Sequence, residues 1–267
     1  MKIMINITAS LVKELRLRTG VGVMECKKAL IKNKGNIEYS VDYLRKLGIS
    51  KAEKKLNTVT TQGSIFTFCS NNVSAILELN CESDFVAKDN QFIIFGNNIV
   101  RSICDKAIYN IHILRKKFES KRIELISKFD ENIFIKRINF LSNNYIGTYV
   151  HGTRIGVLVG TNTFITQALI KNIAMHIAAS KPEFLNSYMI PDNIINRERN
   201  IQLEIAMKSA KSNFIADKIV QGRMSKFTDS ISLMGQKFIL DPEYTVNQYL
   251  LNNNTTVTSF VRFEIGG

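Results

Sequence analysis

Gly63-Ser-Ile-Phe-Thr-Phe68, a turn at Ser70-Asn71-Asn72, and Val73-Ser-Ala-Ile-Leu-Glu-Leu79 decide the fold, because the same pattern returns later in the chain. From Gly147 the chain reads Gly-Thr-Tyr-Val-His151, a turn at Gly152-Thr153, and then Arg154-Ile-Gly-Val-Leu-Val159. Each copy is a pair of β-branched and aromatic runs joined by a tight polar turn, the pattern of a β-hairpin. A polar loop and an apolar helix follow each hairpin, Phe92 to Ile103 in the first copy and about Thr166 to Ala179 in the second. Each copy also has a later strand candidate, Ile133 to Phe140 and Ser259 to Ile265. The expectation is an α+β core of two β-hairpin–helix units, each a small three-stranded antiparallel sheet covered by helices.

Upstream of this core, residues 8–50 read as three short helices. Thr8 caps a first helix carrying Leu11, Val12 and Leu15 and stopped by Gly20; a second runs from about Met24 to Lys32. Asn36 caps a third, with Ile37, Val41 and Leu44 on one stripe and an end at Gly48. Lys51 to Lys55 reads as a solvated linker or as more of that helix. Inside the second core unit, two helical segments follow Pro182, the first with Ile194, Ile195, Ile201, Leu203, Ile205 and Met207. The second carries Phe214, Ile215, Ile219, Val220, Met224 and Phe227, and the short polar connection Ser209 to Asn213 lets the pair fold back as an antiparallel hairpin. Apolar spacing leaves open whether that hairpin is a plain protrusion or an interaction arm.

The chain has 267 residues, 45% hydrophobic and 22% charged, enough to bury a substantial core across about two domains. No stretch reaches the ~20 apolar residues of a membrane span, and the start Met1 to Asn6 lacks the pattern of a secretion signal. Cys26, Cys69, Cys81 and Cys104 are scattered without a Cys-x-x-Cys pair, which points to a reducing cytoplasm and to neither disulfides nor a zinc site. Lys and Arg number 36 against 23 Asp and Glu, a net charge of +13. That excess fits an RNA-binding or RNA-chaperone protein or an acidic protein partner. It equally fits a chain drawn throughout toward Lys, Asn and Ile, because the charges are spread and no aromatic-interleaved basic strand occurs.

Enzyme chemistry finds no constellation. There is no phosphate loop, and Thr19-Gly20-Val21-Gly22 is a tight turn between helices with no strand leading into it. His112, His151 and His176 lack metal-ligand spacing, and His176 lies on an apolar helix where a packed histidine belongs. Cys81, beside Glu82 and Asp84, sits where its thiol pKa should rise, the wrong direction for a nucleophile. One loop stands apart: Asn80-Cys-Glu-Ser-Asp-Phe-Val-Ala-Lys88 directly follows a strand and sets an aromatic next to a carboxylate. Either Phe85 and Val86 tuck into the sheet edge while Asp84 caps the next helix, or the loop presents them to a partner.

Several of these segments resemble one family. Leu11-Val-Lys-Glu-Leu-Arg16 and Thr19-Gly-Val-Gly-Val-Met-Glu-Cys-Lys-Lys-Ala-Leu30 resemble the opening of bacterial elongation factor Ts, and Asn80 to Ala87 is similar to that family's Asp-Phe-Val motif. The resemblance continues through His151-Gly-Thr-Arg-Ile-Gly-Val-Leu158, Met175-His-Ile-Ala-Ala-Ser-Lys-Pro182 and Gly222-Arg-Met-x-Lys-Phe227, covering Ile7 to Ile265. It implies a ubiquitin-associated-like three-helix domain (residues 1–55), a core N-subdomain (56–142), a core C-subdomain (143–182 and 230–267) and an inserted antiparallel coiled-coil hairpin (183–229).

The implied function is guanine-nucleotide exchange on elongation factor Tu, GDP-bound and nucleotide-free, without covalent catalysis, cofactor, resident metal, membrane or sequence-specific nucleic acid. By that resemblance Ser83, Asp84, Phe85 and Val86 disturb Mg²⁺ coordination in the partner, with Phe85 as a wedge. Val23, Met24, Lys27, Phe129, Asp130 and His151 would make further partner contacts. Phe129-Asp130 stands where the family typically has Ile-Gly, Val23 where it often has Met, and Ser212 where Pro is common. Family members commonly continue past the last strand into a short helix, whereas here only Gly266-Gly267 follow Ile265, from which a weaker hold on the partner is expected.

Overall fold

The computed structural model of the chain describes residues 7–70, 72–143, 145–209 and 213–267. It is a mixed α/β protein with ten α-helices and small antiparallel sheets among those residues. The turn residue Asn71 and the hairpin connection 210–212, with Ser212, lie outside them, as does the opening Met1 to Asn6. Two compact units divide the chain. The first comprises residues 1–66, 77–138 and 264–267; the second comprises 67–76 and 139–263.

The first unit begins with α1 (Ala9–Thr19), α2 (Val23–Lys32) and α3 (Ile37–Lys55). Thr8 and Asn36 cap α1 and α3 by accepting the Leu11 and Tyr39 N–H groups at 3.4 and 3.0 Å. Gly20 ends α1 in the left-handed region at φ 70°. Leu15, Cys26, Ala29, Leu30 and Leu44 form the small core of these helices. Gly48 does not stop α3, contrary to expectation, and of the two readings of Lys51 to Lys55 the continuing helix holds, since α3 runs on to Lys55. A Cβ at Gly48 would lie 3.1 Å from the Ser127 side chain, so the glycine serves close helix–helix approach.

Ser127 belongs to α6 (Ile111–Phe129), which follows α4 (Asp84–Ala87) and α5 (Asn90–Asp105). The first sheet has the order β1 (Gln62–Ser70), β2 (Val73–Cys81), β3 (Phe134–Ser142), so the expected late strand does complete it. Its central strand is buried from Ser74 to Cys81. Helix α5 presses close to β1: a Cβ on Gly96 would fall 2.3 Å from the Phe66 ring. Helix α6 lies along β3, where the Arg115 guanidinium donates to the Ile135 and Lys136 carbonyls and Arg122 donates to Ile133 O at 3.0 Å.

In the second unit the other sheet repeats that order as β4 (Tyr145–His151), β5 (Ile155–Thr161) and β8 (Val257–Glu264). Strands β4 and β5 pair antiparallel, with Gly147 opposite Val159 and His151 opposite Ile155. Helix α7 (Gln167–Ser180) covers the sheet, and its Ile170 fills the space that a Cβ on Gly147 would need, at 2.4 Å. Val157, Val159, Ile173, Ile177, Leu233, Phe238, Leu250 and Val257 make one buried core. Helices α8 (Asp192–Ser209) and α9 (Asn213–Ile231) pack on each other through Ala206, Ala216, Val220 and Met224. A small ribbon, β6 (Lys237–Phe238) and β7 (Asp241–Thr245), and helix α10 (Val246–Asn252) complete the unit.

Buried His176 illustrates how a polar group is accommodated here. Its Nε2 lies 2.9 Å from Gln236 Oε1, and Nδ1 accepts the Ile239 N–H at 3.2 Å. That arrangement suits the neutral ring, and burial holds its pKa below the usual histidine range.

Candidate functional site

Strand β2 ends at Cys81, and the chain turns at Glu82-Ser83 into the single-turn helix α4. Ser83 caps that turn, with its Oγ accepting the Val86 N–H at 3.4 Å. Asp84 is therefore the first helical residue, not the cap, and Asp89 caps the next helix through the Gln91 N–H. Successive helical residues point about 100° apart, and the turn uses that rotation to sort its side chains. Val86 and Ala87 are buried, while Phe85 projects outward with 82% of its surface exposed. The choice left open by the sequence is thus settled residue by residue: Val86 tucks in and Phe85 does not. An aromatic so exposed forgoes roughly 1.5–3 kcal/mol of burial in the free protein.

Around this turn the chain is held by a crossed pair of carboxylate contacts. Glu131 accepts the Ser83 N–H at 2.9 Å on Oε2 and the Ser83 hydroxyl at 2.6 Å on Oε1. In the opposite direction, Glu82 Oε1 accepts the Asn132 N–H at 2.7 Å. Lys55 at the end of α3 also donates to Glu82, at 3.2 Å. The Cys81 thiol points at the Ser83 carbonyl, 3.1 Å away. Burial first, and the nearby Glu131 carboxylate second, push that thiol's pKa up to about 12. The rise matches the sequence expectation, though burial outweighs acidic neighbours and Glu131 matters more than Asp84. Asp84, on the exposed side of the turn, is paired with Lys88 at 2.7 Å, and that hydrogen bond lowers its pKa.

The remaining partner-contact candidates of the first unit cluster on exposed or half-exposed positions. Val23 and Met24 open α2 with 44% and 64% of their surfaces exposed, and Lys27 is exposed one turn on. Phe129 is half-buried under the Lys128 ammonium, 5.0 Å from its ring centroid. Asp130 ends α6 in the left-handed region, φ 57° and ψ 28°, so the aspartate keeps the conformation a glycine takes readily. Lys51 of α3 joins Glu25 of α2 to Asp130, at 2.5 and 3.2 Å. Glu25, Lys51, Glu82, Glu131 and Asn132 are the residues the sequence reading missed. Their pairing spans up to 50 positions, and nothing local signals it.

His151 belongs to the second unit, at the exposed tip of the β4–β5 hairpin, with Nδ1 3.0 Å from the Tyr149 hydroxyl. Among the described residues, no group of three or more His, Cys, Asp or Glu side chains is placed to hold a metal ion. No helix among them is long and apolar enough to cross a membrane.

The family model described as Elongation factor TS matches residues 82–267, starting at the Glu82-Ser83 turn. An elongation factor Ts of Photorhabdus laumondii is 50% identical over 265 residues, 98% of this chain and 93% of that protein. The chain belongs to the elongation factor Ts family. The Elongation factor Ts of Buchnera aphidicola is likewise 50% identical, over 98% of both chains, and that of Yersinia pestis is 48% identical over 98% of this chain. These relatives extend the match through the three N-terminal helices that precede Glu82. The family serves translation elongation, and its role is guanine-nucleotide exchange on elongation factor Tu.

Proposed function

We propose that this chain binds GDP-loaded elongation factor Tu, loosens the nucleotide through the Ser83–Val86 turn, and remains on the nucleotide-free partner until GTP displaces it. Phe85 carries this reading: a large aromatic, 82% exposed, on a short turn that is capped, clamped and anchored from below. In the proposal Phe85 is the wedge, and Asp84 brings a carboxylate toward the partner's Mg²⁺ site. Ser83 holds the turn, and Val86 anchors it to the core. Val23, Met24, Lys27, Phe129, Asp130 and His151 add grip elsewhere on the partner. The reading includes the four-part organisation: a ubiquitin-associated-like domain (1–55), two core subdomains (56–142, and 143–182 with 230–267) and a coiled-coil insertion (183–229). The place of action is the cytoplasm.

Exchange needs no covalent step, so no residue here acts as acid, base or nucleophile. What it needs is mutual weakening: this chain and GDP each lower the partner's affinity for the other by one shared factor. Speeding release by ~10⁴-fold means lowering the barrier by ~5.5 kcal/mol. Burying one phenylalanine supplies roughly 1.5–3 kcal/mol. The wedge therefore works only with a wider contact surface that holds it in place, which is the part assigned to α2, Phe129 and His151. Release of fluorescent GDP from elongation factor Tu, with and without this chain, tests the reading; release that stays at the spontaneous rate at saturating protein refutes it.

A further inference from the structure

We infer that Glu131 is a positioning residue for exchange, fixing through Ser83 the turn that presents Asp84 and Phe85; the inference rests on the exchange function proposed above. A serine hydroxyl has one proton and two lone pairs. At Ser83 the proton goes to Glu131 Oε1 and a lone pair receives the Val86 N–H, so the acceptor side is aimed into the helical turn. The second Glu131 oxygen takes the Ser83 backbone N–H, so the carboxylate fixes main chain and side chain together. Charge-assisted bonds of this kind are about twice as strong as neutral ones.

The turn bearing Glu131 is itself held on both sides. The Asn132 N–H is bound by Glu82, its side-chain amide donates to the Thr58 carbonyl at 3.1 Å, and Asp130 is paired with Lys51. A four-residue helix has too few internal bonds to hold a shape alone. An exposed wedge on such a helix transmits force to a partner only if its base does not yield. Glu131 is the group that stops it yielding, and it does so without being placed at the wedge itself.

Glu131→Gln tests this. The amide keeps the side chain's size, but it removes the charge and replaces one of the two acceptors with an N–H₂, so the Ser83 hydroxyl loses its acceptor and must turn to receive the amide instead. The experiment uses the full chain, elongation factor Tu loaded with fluorescent GDP, and a titration that separates the maximal release rate from the half-saturating concentration. Misplacement of a working group by about 1 Å can cost up to roughly a hundredfold in rate, so the maximal rate should fall by about tenfold to a hundredfold. The half-saturating concentration should move by less than about threefold. In a Phe85→Ala background the same substitution should cost clearly less than in the parent, because only Asp84 is left to be positioned. Ser83→Ala, which keeps the backbone bond but removes the cap, should give a smaller loss of the same kind with a melting temperature lowered by only about 2–4 °C, and the Glu131→Gln melt should stay within that range.

A parent protein that leaves GDP release unchanged overturns the exchange reading and this inference together. A parent that accelerates release while Glu131→Gln matches it overturns the positioning role alone. So does a loss that multiplies fully with Phe85→Ala, or one that tracks a fall in melting temperature of more than about 4 °C.

Discussion

Truncating Phe85 to alanine separates the wedge from the scaffold beneath it. In the free protein the ring is 82% exposed, so removing it should change unfolding free energy by no more than about 0.5 kcal/mol. Neighbouring Val86 and Ala87, which do pack inward, stay in place, and so do the Ser83 cap and its Glu131 clamp. On the partner the loss is the burial the ring gains there, roughly 1.5–3 kcal/mol. If that burial is complete only as nucleotide leaves, the loss appears in the maximal rate, as about a tenfold to a hundredfold slowing at 1.4 kcal/mol per decade. Affinity for GDP-bound elongation factor Tu should change much less, since α2 and the other contacts remain, whereas affinity for the nucleotide-free partner, in which the ring is fully buried, should fall by about the same factor as the rate. The assay is stopped-flow release of fluorescent GDP over a concentration series, with urea unfolding of the variant as control. Exchange at the parent rate would refute the wedge. A large fall in stability would refute the claim that the ring stands clear of the core.

Two further outcomes follow from titration chemistry. His176 is held neutral, with a pKa below the ordinary value of 6.5, so the unfolded chain takes up that proton first as pH falls. This contribution is fully present above about pH 6.5 and is lost as pH falls from there toward the lower folded-state pKa; urea midpoints at pH 7.5 and 5.5 should show the loss, and His176→Gln should reduce it. Cys81, buried with a pKa near 12, should resist a thiol-labelling reagent at neutral pH in the folded protein, whereas exposed Cys69 should react. Labelling followed by peptide mass mapping distinguishes the two.

The repeat at Gly63 and Gly147 made both sheets legible because each hairpin encodes its own turn, and each late strand is apolar enough to find the central strand's open edge. Helix α6 escaped notice for a physical reason. Its inward stripe runs Leu114, Phe118, Arg122, Leu125 and Ile126, and the arginine interrupts the apolar period. Arg122 is nevertheless buried, because Glu119 and the Ile133 carbonyl satisfy its guanidinium. Helix α10 carries a local signal that the hairpin repeat does not supply: Thr245-Val-Asn-Gln248 spells a capping box, and the structure forms both of its hydrogen bonds. Gly48 shows the opposite limit, since a glycine that ends a helix and one that admits a neighbouring helix look alike in sequence.

At the site, sequence alone could name Asp84 and Phe85 but could not tell a presented ring from a packed one. That depended on the phase of a one-turn helix set by the Ser83 cap. It could not find Glu131, 48 residues away, because the clamp exists only once β3 has been laid beside β2.

Release of GDP from elongation factor Tu is the measurement closest to the central claim. With fluorescent GDP bound to the partner and excess unlabelled nucleotide in solution, adding this chain should raise the release rate in a saturable way, by orders of magnitude over spontaneous loss. The chain alone should hydrolyse no GTP. Release that stays at the spontaneous rate at saturating concentrations of folded protein would contradict the account.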